Sequence, residues 1–97
     1  MSSVILGRFF KQPAEVLDYD VDYVDWFSNR TDAPASFVVI AETGITVVSS
    51  SRTGFVVKVI LSGGTVNVRY KITVRLTTTA GVPLVKEADF TVMVREV

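Results

Sequence analysis

The clearest pattern in the chain is a regular alternation of apolar and polar side chains over residues 66–78. The apolar side chains occupy every second position, at Val66, Val68, Tyr70, Ile72, Val74 and Leu76. Because successive side chains of a strand point to opposite faces, this period predicts a long, half-buried β-strand. Burying the apolar row contributes on the order of 10 kcal/mol of gross stabilisation. We therefore predict that this strand lies in the middle of the fold.

A second alternating segment near the end of the chain predicts a hairpin with the first. We expect Ala88, Phe90, Val92 and Val94 to face inward and Glu87, Asp89, Thr91 and Arg95 to face outward. Residues 79–83 between the two segments contain Gly81, which permits a positive φ, and Pro83, which favours a turn. Pairing the strands about Gly81 or Val82 places Arg75 opposite Glu87 or Asp89.

Two further predicted strands, over residues 35–41 and 54–61, are apolar on both faces. Their second faces carry Val38, Ile40, Val56 and Ile60. A strand that is apolar on both faces has to be covered on both. Two interpretations stay open: these side chains pack under the N-terminal segment, or they form a patch for a neighbouring protein.

Short strands separated by turns predict an all-β fold, a single-domain immunoglobulin-like (fibronectin III-like) antiparallel β-sandwich of six to seven strands. At residues 62–65, Gly63 and Gly64 could close a two-residue hairpin. Alternatively the chain crosses between the sheets there, and Tyr70 forms a tyrosine corner with backbone upstream.

We divide the chain into a less regular N-terminal arm, residues 1–10, and a sandwich domain, residues 11–97. The arm is unusually apolar for a free terminus and is a candidate docking segment. Its apolar side chains are Val4, Ile5, Leu6, Phe9 and Phe10.

Composition excludes several classes of function. Lys and Arg number 10 and Asp and Glu number 10, so a nucleic-acid partner is not expected. The chain has no Cys and no His, which excludes disulfides, thiolate or imidazole metal sites and His-based triads. We expect no cofactor and no enzymatic activity. The N-terminal pattern is unlike a secretory signal, and no apolar run is long enough to span a membrane as a helix.

Four acids lie close together at Asp18, Asp20, Asp22 and Asp25, and the D-x-D-x-D spacing of the first three is that of a calcium loop. Paired carboxylates among them could also act as the acid and base of a hydrolase. The Gly and Glu that an EF-hand loop requires are replaced by Tyr23 and Asn29. The plainer interpretation is a strand whose acids face solvent and whose Tyr19, Val21 and Tyr23 face inward.

Trp26 has two interpretations. A lone Trp in a small β-domain is usually a core anchor, but together with Tyr19 and Tyr23 it could form a sugar-stacking surface. A carbohydrate-binding or adhesion module is therefore the alternative function.

The zero net charge conceals an asymmetry along the chain. Residues 1–32 hold six acids and three bases, and residues 33–97 hold four acids and seven bases. Surfaces of opposite sign suit head-to-tail packing of identical subunits in a ring.

The ordered motifs of the chain resemble the phage fiber-tail adaptor proteins, small proteins encoded among the head and tail genes of tailed bacteriophages. The resemblance rests on Lys11-Gln12-Pro13, Val16-Leu17-Asp18-Tyr19, Val21-Asp22-Tyr23, Asp25-Trp26-Phe27, Gly44-Ile45-Thr46-Val47, Leu61-Ser62-Gly63-Gly64-Thr65, Tyr70-Lys71-Ile72-Thr73-Val74-Arg75, Thr77-Thr78-Thr79-Ala80-Gly81, Phe90-Thr91-Val92 and Val94-Arg95-Glu96. One departure is Asn67, where the family often has Gly, although Asn tolerates the left-handed conformation.

The resemblance implies an Ig-like sandwich without catalytic residues, which serves as a structural part of a virion assembled in the host cytoplasm. It implies that the protein joins the tail machinery to fibers or lies near the connector, with other virion proteins as partners. We also expect copies of the protein to bind each other in a ring, and we expect no membrane partner. The structural anchors that we expect are Tyr19, Trp26, Gly63, Gly64, Tyr70 and Gly81.

Overall fold

Two β-sheets pack face to face in the computed structural model, which describes residues 4–96, with side chains from residue 7 onward. The elements in chain order are β1 (Val4–Lys11), β2 (Leu17–Asp22), the one-turn helix α1 (Val24–Phe27), β3 (Pro34–Ala41), β4 (Ile45–Thr53), β5 (Val56–Gly63), β6 (Arg69–Thr78) and β7 (Val85–Val94). Sheet A has the strand order β1-β7-β6-β3, and sheet B has the order β2-β5-β4. The predicted all-β sandwich is confirmed.

The predicted central strand corresponds to β6, which lies between β7 and β3. Its alternate side chains Tyr70, Ile72, Val74 and Leu76 are buried, and they meet Val57, Val59 and Leu61 of β5 within one hydrophobic core. The strand begins later than predicted because Asn67 adopts a φ of +68°, which interrupts the extended backbone. Val66 and Val68 therefore lie in a loop.

The hairpin between β6 and β7 has the predicted register, with Thr77 opposite Val85 and Arg75 opposite Glu87. The Arg75 guanidinium and the Glu87 carboxylate form an ion pair on the outer face of sheet A. Gly81 does not have a positive φ, and a Cβ there would meet no atom within 4 Å. The turn therefore does not use the positive φ that Gly81 permits.

Two side chains of β7 that we expected in solvent, Asp89 and Thr91, are buried. They do point to the outer face of sheet A, but β7 is flanked on one side by β6 and on the other by β1. Lys71 and Arg8 lie directly beside Thr91 in the register. These two longer side chains shield Thr91 from solvent, which alternation alone does not predict.

The N-terminal segment is also more regular than expected. Among the described strands it forms the one parallel pair, whereas all the other pairs are antiparallel. Residues 4–11 form β1, which pairs in parallel with β7 through a single register shift between Ile5 and Gly7. Phe9 faces inward, where its ring centre lies 5.2 Å from that of Tyr19 and 5.9 Å from that of Phe90. Residues 4–10 are thus a strand of sheet A. Residues 1–3 of the predicted arm lie outside the described part.

At Gly63 and Gly64 the chain crosses from sheet B to sheet A, so of the two interpretations for this site the hairpin is wrong. Both glycines have positive φ, +75° and +98°. A Cβ on Gly64 would lie 2.5 Å from Cγ2 of Val94, which only glycine avoids. The Tyr70 hydroxyl accepts a 2.8 Å hydrogen bond from the backbone N–H of Thr65 and forms the expected tyrosine corner.

A second buried tyrosine joins the two sheets. The Tyr23 hydroxyl donates a 2.8 Å hydrogen bond to the carbonyl oxygen of Val74, and burial raises the pKa of Tyr23. The Tyr19 hydroxyl is also buried but makes no hydrogen bond to the described residues. All three tyrosines are thus buried, but only the hydroxyls of Tyr23 and Tyr70 are hydrogen-bonded.

Replacing Tyr70 or Tyr23 by Phe should lower the free energy of unfolding by about 1–2 kcal/mol, because each change leaves a buried backbone group without its partner. Tyr19→Phe should be neutral or slightly stabilising, since it removes a hydroxyl that gains nothing from burial. Urea unfolding of the three variants measures the difference. Equal losses at all three positions would contradict this assignment.

Candidate docking surfaces

Val38 and Ile40, two predicted partner-binding residues, lie on the outer face of β3 and remain 55% and 42% exposed. Their cross-strand neighbours on β6 are Arg75 and Thr73, respectively. No described strand covers this face, because β1 joins the opposite edge of sheet A instead. The idea that the N-terminal segment packs over these residues is therefore wrong for residues 4–10, and the two side chains form an apolar edge.

Phe9 and Phe10 lie at the other edge of sheet A, on β1. Phe10 faces outward and is 61% exposed, with the Arg95 guanidinium 5.3 Å from its ring centre. Phe9 faces inward but keeps 40% of its surface exposed because its strand is an edge strand. The side chains of Val4, Ile5 and Leu6 lie outside the described part of the structure.

Val56 and Ile60 lie on the outer face of sheet B and are only half-buried. Their neighbours on β2 are Asp22 and Asp18. They therefore point away from Val38 and Ile40, and the candidate partner-binding residues do not form one patch. They divide between the two outer faces of the sandwich and the two edges of sheet A.

The tip of the β6–β7 hairpin carries exposed apolar residues that sequence reasoning did not single out. Val82 is the most exposed, and Leu84 and Val85 follow it. Val85 lies opposite Thr77, on the same outer face as Val38. The signal was present in the sequence, since these aliphatic residues lie in the predicted turn over residues 79–83 and directly after it.

The acids of β2 form an exposed stripe on the outer face of sheet B. Lys58 of β5 donates to Asp18 at 3.0 Å and lies 3.7 Å from Asp20. The hydrogen bond from Lys58 holds the pKa of Asp18 below its usual value. A catalytic acid needs a raised pKa, whereas the pKa of Asp18 is shifted in the opposite direction. Over residues 4–96 no cluster of three metal-binding side chains is present.

Sheet A presents a different charge on its outer face. Arg69, Lys71 and Arg75 project outward from β6, and Arg8 projects outward from β1. The charge asymmetry along the sequence thus becomes an asymmetry between the two faces of the sandwich. Acids dominate the outer face of sheet B, and bases dominate that of sheet A.

The aromatic residues proposed for sugar stacking do not form an open platform. Tyr19 and Tyr23 are buried in the core. Trp26, on α1, is half-buried: it packs edge-on against Phe27 at 4.8 Å, and the Arg30 guanidinium lies 4.7 Å from its ring centre. The expectation of a stacking surface is wrong for the tyrosines, because the strand that carries them turns them inward.

The structural role of Lys11 could not be predicted from its residue type, because lysine side chains usually lie at the surface. Lys11 is almost fully buried at the end of β1. Its ammonium group donates to the carbonyl oxygens of Gln12, Pro13 and Gly63 at 2.8, 3.3 and 2.7 Å. Burial lowers its pKa. This side chain ties the strand that carries Phe9 and Phe10 to the crossover between the sheets.

A shallow cleft opens beside Lys11, at the end of sheet A where β1 and β7 stop. It has a volume of about 470 Å³ and is lined by Phe10, Lys11, Gln12, Glu15, Arg95 and Glu96. The backbone N–H of Gln12 donates to Glu15 at 2.7 Å, which stabilises the turn at the floor of the cleft.

Comparison with known protein families identifies the chain. The family model of the podophage GP4 fiber-tail adaptor protein gp77 matches residues 11–94. The chain belongs to this family. Fiber-tail adaptors are structural proteins of a phage particle, and the predicted resemblance is confirmed. No curated protein matches the chain. No helix among the described residues of this fiber-tail adaptor is long and apolar enough to cross a membrane.

Lys11→Met should lower the free energy of unfolding by about 1–3 kcal/mol, because buried carbonyl oxygens lose their donor while the aliphatic volume is kept. Lys71→Met, on the exposed face of β6, is the matched control and should change stability little. Chemical denaturation measures both. If the two variants lost the same amount, Lys11 would not hold the crossover.

The ion pair of Lys58 should make part of the stability pH-dependent. Because the pKa of Asp18 is lower in the folded chain than its ordinary value of 3.8, its contribution is present above that value. The contribution is lost as the pH falls through the folded pKa. Lys58→Met should therefore destabilise the protein near neutral pH, and the difference from wild type should shrink as the pH falls below 3.8. A pH series of thermal unfolding tests this, and a difference that does not change with pH would contradict it.

Proposed function

We propose that this fiber-tail adaptor joins the tail or the head-tail connector of a phage particle to its fibers through protein contacts, in several copies arranged in a ring. The observation that carries the proposal is the uncovered apolar edge at Val38 and Ile40. Family membership supports the structural role in a virion.

The edge formed by β3 has the properties of a protein interface. Residues 34–41 contain no charged side chain, and the strand has an unpaired side because it ends sheet A. Exposed apolar residues on an unguarded edge strand favour association with another protein chain. An adaptor needs such surfaces in place of a catalytic cleft.

The opposite charges of the two outer faces support contact between different surfaces of identical copies. Because one outer face is acidic and the other is rich in bases, contact between two like faces of identical copies is disfavoured. Contacts between unlike surfaces generate rings when the rotation closes. This supports a ring rather than a two-fold dimer.

Carbohydrate binding is less well supported. The buried Tyr19 and Tyr23 cannot stack on a sugar, and Trp26 already packs against Phe27 and Arg30. Of the two functions, the adaptor role alone uses the residues that are exposed.

Val38→Lys should prevent or strongly reduce incorporation of the adaptor into assembled particles, because a charge replaces an apolar contact at the edge. Val48→Lys is the matched control: Val48 is also a valine with 55% exposure, but it lies on β4 of sheet B. Mass spectrometry of purified particles measures incorporation of each variant, and circular dichroism verifies that both fold. Normal incorporation of Val38→Lys would contradict a role for this edge.

A further inference from the structure

The sandwich has four edge strands, and they differ in how far they are protected from pairing with another chain. Natural proteins protect sheet edges with charges, bulges or prolines, because an open edge exposes unpaired backbone donors and acceptors. The edges of sheet B are β2 and β4, and those of sheet A are β1 and β3.

Both edges of sheet B carry such protection. β2 presents the carboxylates of Asp18, Asp20 and Asp22. β4 is interrupted by a register shift at Val48 and carries Arg52 near its end. A strand added to either edge would have to accommodate these charges or this irregularity.

The edges of sheet A are more open. β3 has an irregularity only at its start, between Pro34 and Ser36, and pairs regularly with β6 from Ser36 to Ala41 without any charged residue. β1 is less open than β3, because it has a register shift between Ile5 and Gly7 and carries the exposed Arg8, but Gly7 to Lys11 run regularly along β7. Exposed apolar side chains occur on both edges, at Phe9 and Phe10 on β1 and at Val38 and Ile40 on β3.

We propose that β3 of one copy accepts β1 of the next copy as an added strand, so that the A sheets of neighbouring subunits join into one continuous sheet. This inference rests on the proposed function, since it requires several copies in one particle. The two edges lie at opposite ends of the strand order β1-β7-β6-β3, so each copy offers one donor strand and one acceptor strand. Such a contact repeats from copy to copy, and it generates a ring when the rotation between copies closes.

The second copy is favoured as the occupant because β1 is suited to the environment beside β3. A strand added there has one face toward Val38 and Ile40 and the other toward the half-buried Phe37 and Val39. It therefore needs apolar side chains on both faces. β1 supplies them, because Phe10 faces outward and Phe9 faces inward. Main-chain hydrogen bonds between the two edges would supply the affinity, and these apolar pairs the specificity.

The absence of cysteine from the sequence allows a direct test. The double variants Phe10→Cys/Val38→Cys and Phe10→Cys/Ile40→Cys are assembled into particles and treated with a short bis-maleimide, whose reach tolerates a shift in register. We expect a ladder of covalent oligomers on denaturing gels. Phe10→Cys/Val48→Cys, with its second cysteine on β4, is the matched control and should give no ladder.

Single variants distinguish the other occupants. Val38→Cys alone should stay monomeric; a dimer would indicate that β3 pairs with β3 of another copy and would overturn the inference. A link from Val38→Cys to a different virion protein, identified by mass spectrometry after labelling with the same reagent, would equally overturn it. If particles contain the double variants but give no ladder, the strand addition is contradicted. If particles lack even the wild-type chain, the proposed function is contradicted instead.

Discussion

The crossover at Gly63 and Gly64 brings together four of the strands on which the sandwich is built. Here β5 ends in sheet B and the chain turns toward β6 in sheet A. Lys11 at the end of β1 donates to the Gly63 carbonyl, and Gly64 packs against Val94 of β7. Tyr70 then holds the loop through the N–H of Thr65. The described chain passes between the sheets four times, and this crossing is held by hydrogen bonds from both Lys11 and Tyr70.

The position of β1 follows from this junction. Its last residue, Lys11, is held in place by the hydrogen bonds that its ammonium group donates. The aromatic residues that precede Lys11 are thereby placed at the edge of sheet A. A buried lysine is costly unless its donors are satisfied, and here backbone carbonyls satisfy them. The candidate docking edge at Phe10 is therefore held by the same interaction that stabilises the crossover. Packing and docking surface are linked through one side chain.

The two sheets divide the roles of the molecule. Sheet B directs its acids outward and protects its edges by charge and irregularity. Sheet A leaves apolar residues at both of its edges. The proposed ring of identical copies needs surfaces that attract unlike partners and resist indiscriminate pairing. The asymmetry between the sheets meets both requirements at once.

Alternation of residue types was sufficient to predict the strands around Ile72 and Phe90, the hairpin register and the set of core residues. These depend on local geometry, because the two-residue period of a strand is visible in the chain itself. The same reasoning failed for Asp89 and Thr91, whose burial depends on the strands beside them. It also left open whether Gly63 and Gly64 make a hairpin or a crossover, since both conformations use positive φ.

By itself, the sequence determined the all-β class, the alternating core and the family, because these follow from local periodicity and from motifs in fixed order. Only the tertiary structure decided that β1 pairs in parallel with β7 and that Lys11 is buried. It also decided that Val38 and Val56 face opposite ways. The physical reason is that neighbours in a sheet are chosen by contacts between distant segments. Whether an apolar side chain becomes core or surface depends on which strand lies next to it.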